Sequence, residues 1–194
     1  LENILVDAKI KTVNAGIIPS EHWVHDPLVG GGRIIGEACH FIDLMQFITG
    51  AHVASVNCQF MNKPGQNTYD TAAISLGFAD GSVGVVNYFA NGNKAFPKES
   101  LQVFSEGRVL VLDNFARLDG HGFKGFSSHK TWSQDKGHAS QFAEFVGLIE
   151  KGGQPLIPFA DIVNVTLASF AAVKSGHERR SVNINREYAD LLSD

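Results

Sequence analysis

The sequence predicts an α+β domain built on a meander-like sheet. Three observations predict it. A run of segments with alternating apolar and polar residues fills the middle of the chain. Segments with helical spacing stand on both sides of that run. The strand–helix–strand alternation of a doubly wound parallel sheet is missing.

Taken in order, Leu1 to Thr12 has helical propensity without a clear cap, and Val13 to Pro19 reads as a short extended piece. A polar and aromatic loop, Ser20 to Gly32, ends in three consecutive glycines. The spacing then predicts a helix over Ile34 to Thr49, stopped by Gly50 at the position where a left-handed residue ends helices. The period next changes to two. Val56, Cys58 and Phe60 alternate with Ser55, Asn57 and Gln59, and Ile74, Leu76 and Phe78 with Ala73, Ser75 and Gly77. Val83, Val85 and Phe89 share a parity. Asp80-Gly81 is a hairpin signal between the last two runs. Glu106-Gly107 predicts a second hairpin, joining Leu101–Ser105 to Val109–Asp113. Short extended pieces are expected at Phe115–Leu118 and Phe123–Ser127. Phe142, Phe145, Val146 and Ile149 then fall on one face of a helix. Another helix is predicted from about Ala160 to Lys174, closed by Gly176, and a short one over Arg186 to Leu192.

Composition narrows the function classes. Apolar residues make up 44% of the 194 and charged residues 19%, a globular balance that argues against disorder. The net charge of -4 and pI of about 6.1 give no broad basic footprint for nucleic acid or anionic lipid. The longest apolar stretch, Ile34 to Ile48, is interrupted by Glu37, His40 and Asp43, which argues against a membrane span. Cys39 and Cys58 form no CxxC pair, and a reduced, cytoplasmic home is expected. The chain starts at Leu1 without a signal-peptide pattern and is read as a piece of something longer or a processed product.

Gly120-His121-Gly122-Phe123-Lys124-Gly125 spells GxGxxG. A dinucleotide fingerprint needs a strand before it and a helix after it. Both flanks here look extended, so the match is read as chance. The helix from Ile34 is more informative. Its polar residues Glu37, His40, Asp43 and Gln46 recur every third position, turning by about 60° per step, so the first three form a stripe roughly 120° wide. Two readings stand: a solvent-facing stripe, or a cleft lined by a titratable cluster. Histidine is the side chain suited to exchanging protons near neutral pH. Glu37-x-x-His40 is also half of a di-iron carboxylate motif, but no second copy exists. His22 and His25 could add metal ligands without a defined geometry. His22, Trp23, His25 and Asp26 crowd the loop before the glycines, either as loop packing or as a grip on a sugar or polyol ring. His138 stands at a helix start, where a polar residue needs no special role.

The stretch Gly30-Gly31-Gly32-Arg33-Ile34-Ile35-Gly36-Glu37-Ala38-Cys39-His40-Phe41-Ile42-Asp43 resembles the GGG…H-x-x-D signature of the glucose–fructose oxidoreductase / inositol dehydrogenase / rhizopine catabolism (Gfo/Idh/MocA) family. Asn14-Ala15-Gly16, His22-Trp23…Asp26, Lys136-Gly137-His138 and Pro155–Phe159 followed by Asp161…Thr166…Ser169 are similar to neighbouring parts of it, so the resemblance covers about residues 13 to 183. It implies a fold: a large open, mostly antiparallel sheet with helices packed on one face. It also implies that residues 1–194 are one C-terminal substrate-binding and oligomerisation domain. The N-terminal Rossmann domain, which binds NAD or NADP and carries the family lysine, is then absent from this chain.

Residue by residue, the resemblance places His40 at the reacting hydroxyl carbon and Asp43 one turn on. With Glu37, His40 is the expected catalytic group. Trp23, His22, Arg33, Asp43 and His138 are expected around the substrate. Many members carry an acid four residues before the histidine; here that residue is Gly36, with Glu37 one place later. Either Glu37 serves in its place or this branch works without it. The implied activity is nicotinamide-dependent oxidation or reduction at a sugar, polyol or sugar-derivative hydroxyl. The isolated piece is expected to be inactive and to form a homodimer or higher oligomer through its open sheet face. The competing reading is a non-catalytic binding or dimerisation domain that keeps the fold. A third, a metal-dependent hydrolase, is testable by metal analysis.

Overall fold

The computed structural model describes residues 7–61 and 69–192. The chain runs β1 (Asp7–Asn14), a 3-10 turn (Trp23–His25), a π-helical turn (Ile34–Ala38) and α1 (Cys39–Thr49). Next come β2 (Val53–Phe60), β3 (Ala72–Phe78), β4 (Val83–Phe89), β5 (Glu99–Ser105), β6 (Arg108–Asp113), β7 (Arg117–His121) and β8 (Ser128–Lys130). It ends with α2 (His138–Lys151), α3 (Phe159–Glu178), β9 (Val182–Asn183), α4 (Ile184–Glu187) and a 3-10 turn (Ala189–Leu191).

Among the described residues the strands form one nine-stranded sheet in the order β8-β7-β6-β5-β1-β4-β3-β2-β9. Every pairing is antiparallel except β1 with β4. The α+β expectation therefore holds, as two meanders joined by an intercalated strand. Both predicted hairpins form. At the first, Gly81 takes φ 91° and Ser82 donates its amide to the Asp80 carboxylate. At the second, Glu106 and Gly107 both have positive φ, the geometry whose twist matches flanking strands.

The N-terminal expectation is corrected over the described part of Leu1 to Thr12. Residues 7–12 are strand, not helix, and residues 1–6 lie outside the described residues. Hydrogen bonding to β4 on one side and β5 on the other overrides local helical propensity. A second correction concerns α3. It runs on to Glu178 and is capped by left-handed Arg179 at φ 54°, so Gly176 lies inside it. A Cβ at Gly176 would come within 2.2 Å of the Phe60 ring, so glycine there permits close approach of α3 to β2.

One face of the sheet carries the core. Val56, Ile74, Leu76, Val86 and Tyr88 pack beneath Ile42 and Met45 of α1 and Ala168, Ala171 and Ala172 of α3. Polar side chains fix α3 in place. Asn164 accepts from the Val53 amide at 2.8 Å and donates to the Val53 carbonyl at 3.1 Å. The Ser175 hydroxyl accepts from the Cys58 amide and donates to the Arg180 carbonyl. The other sheet face carries Asn57, Gln59, Ala73, Ser75, Val83 and Phe104, all exposed. The apolar face of α2 is uncovered too: Phe142 is 71% exposed and Ile149 68%.

Candidate functional site

The glycines before α1 set its entry. A Cβ at Gly30 would meet Val24 backbone at 2.5 Å, and Gly31 and Gly32 have φ of 68° and 87°. The chain can therefore fold back tightly and start the π-helical turn at Ile34. Ile34, Ala38, Ile42 and Met45 face the core. Glu37, His40, Asp43 and Gln46 line a cavity of about 880 Å³ between α1, the starts of β5 and α2, and the start of α3. The polar stripe faces this concavity.

Glu37 is held by two side chains. Arg33, 2% exposed, donates from Nε and Nη2 to its carboxylate at 3.2 Å. The same guanidinium donates to the Ala15 and Gly16 carbonyls at 2.9 and 2.7 Å. The Tyr88 hydroxyl, from β4, donates to Glu37 Oε2 at 2.6 Å. Arg33 also stands over the Tyr88 ring, 5.5 Å from its centroid. Burial alone would push the Glu37 carboxyl up. The Tyr88 and Arg33 hydrogen bonds and the nearby positive charges outweigh it, so Glu37 lies below the ordinary glutamate value. Burial and the hydrogen bond to Glu37 push the Tyr88 hydroxyl up, which keeps it a neutral donor.

His40 is exposed and makes no side-chain hydrogen bond among the described residues, so its ring is open to a ligand. Asp43 lies one turn on. Burial pushes its carboxyl up, the His40 ring pulls it down, and Asp161 pushes it up again. Asp161, in the first turn of α3, is 2.8 Å from His52 Nε2. Across the cavity, Lys136 Nζ is 2.8 Å from each oxygen of the nearly buried Glu99 carboxylate, with hydrogen-bond geometry at Oε1. That ammonium lies 5.4 Å from the centroid of Phe115.

Of the residues expected from the sequence, the structure thus brings Glu37, His40, Asp43 and His138 to one cavity. Arg33 stands behind its wall, with its guanidinium engaged by Glu37 and two carbonyls. His22 and Trp23 lie outside the lining. The His22 ring accepts from the Val24 amide at 3.3 Å and tilts against Trp23, which is 61% exposed. Sequence reasoning missed His52, Lys98, Glu99, Lys136 and Asp161. The Lys136-Gly137-His138 run and the Asp161…Thr166…Ser169 stretch carried local signals for Lys136 and Asp161. The others reach the cavity through sheet order and helix packing.

The literal GxGxxG lies in β7 and the turn after it. Gly120 donates its amide to the Ser127 carbonyl, and a Cβ at Gly122 would meet the Gly107 carbonyl at 2.6 Å. These glycines serve hairpin packing, and no helix N-terminus follows them to receive a pyrophosphate. Among the described residues no group of three or more His, Cys, Asp or Glu could hold a metal ion. No helix among them is long and apolar enough to cross a membrane.

Comparison with known proteins agrees with this architecture. Aldose-aldose oxidoreductase from Caulobacter crescentus, solved with glycerol, aligns with a TM-score of 0.74 at 15% identity, over 94% of this chain and 56% of that one. Levoglucosan dehydrogenase, solved with NADH and levoglucosan, gives 0.76 at 18% identity over 94% and 59%. A putative myo-inositol dehydrogenase from Sinorhizobium meliloti 1021 gives 0.70 at 17% over 94% and 57%. These likenesses establish the fold, and the chain spans 56 to 59% of the length of those three proteins. No curated protein matches the sequence. The family model described as the GFO/IDH/MocA C-terminal domain matches residues 6–109, over half of the chain, and the chain therefore belongs to the Gfo/Idh/MocA family.

Proposed function

We propose that this chain is the substrate-binding lobe of an NAD- or NADP-dependent oxidoreductase acting on a hydroxyl of a sugar, polyol or sugar derivative. The observation that carries the proposal is the open His40 ring, beside Asp43, on the wall of a cavity large enough for such a molecule. In this reading the dinucleotide's phosphates are held by a separate nucleotide-binding domain. When bound, the nicotinamide supplies hydride transfer. His40 takes the hydroxyl proton as the carbon is oxidised, or returns it in the reverse direction. Asp43 stabilises the imidazolium that forms. Glu37, kept anionic by Arg33 and Tyr88, fixes the turn before His40 and presents a carboxylate edge to the substrate. His138 lines the same cavity, and Trp23 and His22 lie outside its lining.

The exposed apolar side chains support a larger assembly. Leu28 is 95% exposed and Val29 70%, and the apolar face of α2 is uncovered. The open sheet face is the proposed surface for a homodimer or higher oligomer, and the proposed home is the cytoplasm. The alternative is a binding or dimerisation domain without catalysis, favoured by Gly36 at the acid position and by a Glu37 already held by protein groups.

The test is His40→Ala in the protein carrying its nucleotide-binding domain. Turnover of sugars and polyols is expected to fall by about 10²–10⁴. Because His40 is exposed, the unfolding midpoint stays in place. Unchanged turnover overturns the assignment. The 194-residue chain alone is expected to show no dehydrogenase activity and no tight NAD binding by calorimetry.

A further inference from the structure

We propose that Arg33 is a positioning residue: it pins the base of the surface loop over residues 15–32 to Glu37, so that this loop and the cavity wall hold as one unit. The inference rests on the reading of the cavity as a substrate site and adds what places Glu37 in it. Arg33 is 2% exposed and is the largest of the fully buried side chains among the described residues, with Tyr88 next. A buried guanidinium is costly unless every side of it is engaged. Here it joins three segments: the loop that leaves β1, the π-helical turn before α1, and β4 through the Tyr88 ring.

The loop needs such a tie. No residue from 15 to 32 is buried, so apolar packing does not hold it against the sheet. Its far half is bonded to itself. Gly30 and Gly31 donate their amides to the Asp26 carbonyl at 2.8 and 3.0 Å, Gly32 donates to the Val24 carbonyl at 3.0 Å, and Leu28 donates to the Asp26 carboxylate at 2.8 Å. These bonds shape the loop without attaching it. Attachment comes at the base, where Ala15 donates its amide to the Phe89 carbonyl at 2.9 Å and Gly16 turns the chain at φ 74°.

Arg33 follows the last glycine and reaches back across the loop's mouth. Its Nη2 donates to the Ala15 carbonyl and its Nη1 to the Gly16 carbonyl, both at the loop's start. Its Nε and Nη2 donate to Glu37, one turn further on. A planar fork of five N–H groups serves acceptors in these separate directions, and a lysine ammonium, with its donors on one atom, does not. Glu37 in turn lines the cavity and accepts from Tyr88 of β4. The tie is therefore reciprocal. An open loop base takes two acceptors from Arg33 and loosens its hold on Glu37, and a changed Glu37 loosens the base.

The test follows amide exchange by NMR in the isotopically labelled 194-residue chain, at Gly30, Gly31 and Gly32 of the loop and at Ile74 and Leu76 of the core as reference. Arg33→Lys keeps a positive charge beside Glu37 but loses the fork. It should speed exchange at the three glycines by about tenfold and leave the reference amides within about twofold. Glu37→Gln lies outside the loop and is the sharper variant; it should speed the same glycine amides by about threefold. If Arg33→Lys folds poorly, Glu37→Gln decides alone. Unchanged glycine exchange, or acceleration spread equally over the reference amides, overturns the coupling. In the protein carrying its nucleotide-binding domain, Arg33→Lys should raise KM for sugars or polyols by about tenfold with kcat within about threefold, because His40 keeps its place on α1. A loosened loop with unchanged KM restricts Arg33 to folding and overturns the positioning role. Coupled exchange in a protein whose turnover survives His40→Ala, or that has no turnover, overturns the dehydrogenase reading and leaves the tie between loop and Glu37 standing.

Discussion

Tyr88→Phe isolates one hydrogen bond in the wall of the site. The substitution removes the hydroxyl that donates to Glu37 at 2.6 Å and keeps the ring under the Arg33 guanidinium. A hydrogen bond to a charged group contributes about 1.5–3 kcal/mol when well buried. The Glu37 side chain is 38% exposed, so water competes for the carboxylate and about 1–2 kcal/mol is the expected loss near neutrality. The sign with pH follows from the direction of the Glu37 shift. Its folded value lies below the ordinary 4.5, so the stability it contributes is fully present above that value. That stability is lost as pH falls through the lower folded value. On acidification the gap between the two proteins should narrow toward the contribution of a neutral hydrogen bond, about 0.5–1.5 kcal/mol. Urea unfolding of both proteins, at neutral pH and well below the ordinary glutamate value, measures it. A gap that is absent at neutral pH, or that is unchanged in acid, would refute the reasoning.

Two further predictions concern the core. Gly176→Ala gains about 1 kcal/mol of helix propensity. The added Cβ meets the Phe60 ring at 2.2 Å, and overpacking costs about 1–3 kcal/mol, so a lower melting temperature is expected. A higher one would show that the ring yields freely. Burial pushes the Cys58 thiol up to about 12, so it stays protonated at neutral pH and resists alkylation until the protein unfolds. Labelling of Cys58 in the native protein at the rate of the urea-unfolded chain would contradict the packing of β2 against α3.

Much of the fold was legible because the residues that form each element are local. Period-two alternation marked β2, β3 and β4. Asp80-Gly81 and Glu106-Gly107 marked their turns, and Gly50 ended α1 in the left-handed conformation. Where those elements sit relative to one another was not legible. β1 reads as helical in isolation and becomes a strand because β4 and β5 supply hydrogen bonds on both its edges. The spacing of Phe142, Phe145, Val146 and Ile149 correctly gave a helix, but spacing carries no account of what covers it.

The site divides the same way. The three-residue recurrence of Glu37, His40 and Asp43 is local to one short stretch of chain, so the amino-acid order was enough to put them on a common stripe. Which of them is free to act was decided in three dimensions. Tyr88, 51 positions from Glu37, and the Ala15 and Gly16 carbonyls through Arg33 lock one carboxylate into the wall. Asp161 joins His52 across 109 positions and crowds Asp43. Helical periodicity is set by the backbone of consecutive residues. Charge pairing and the donors left unmet depend on which distant segments the sheet and α3 bring within a few ångströms.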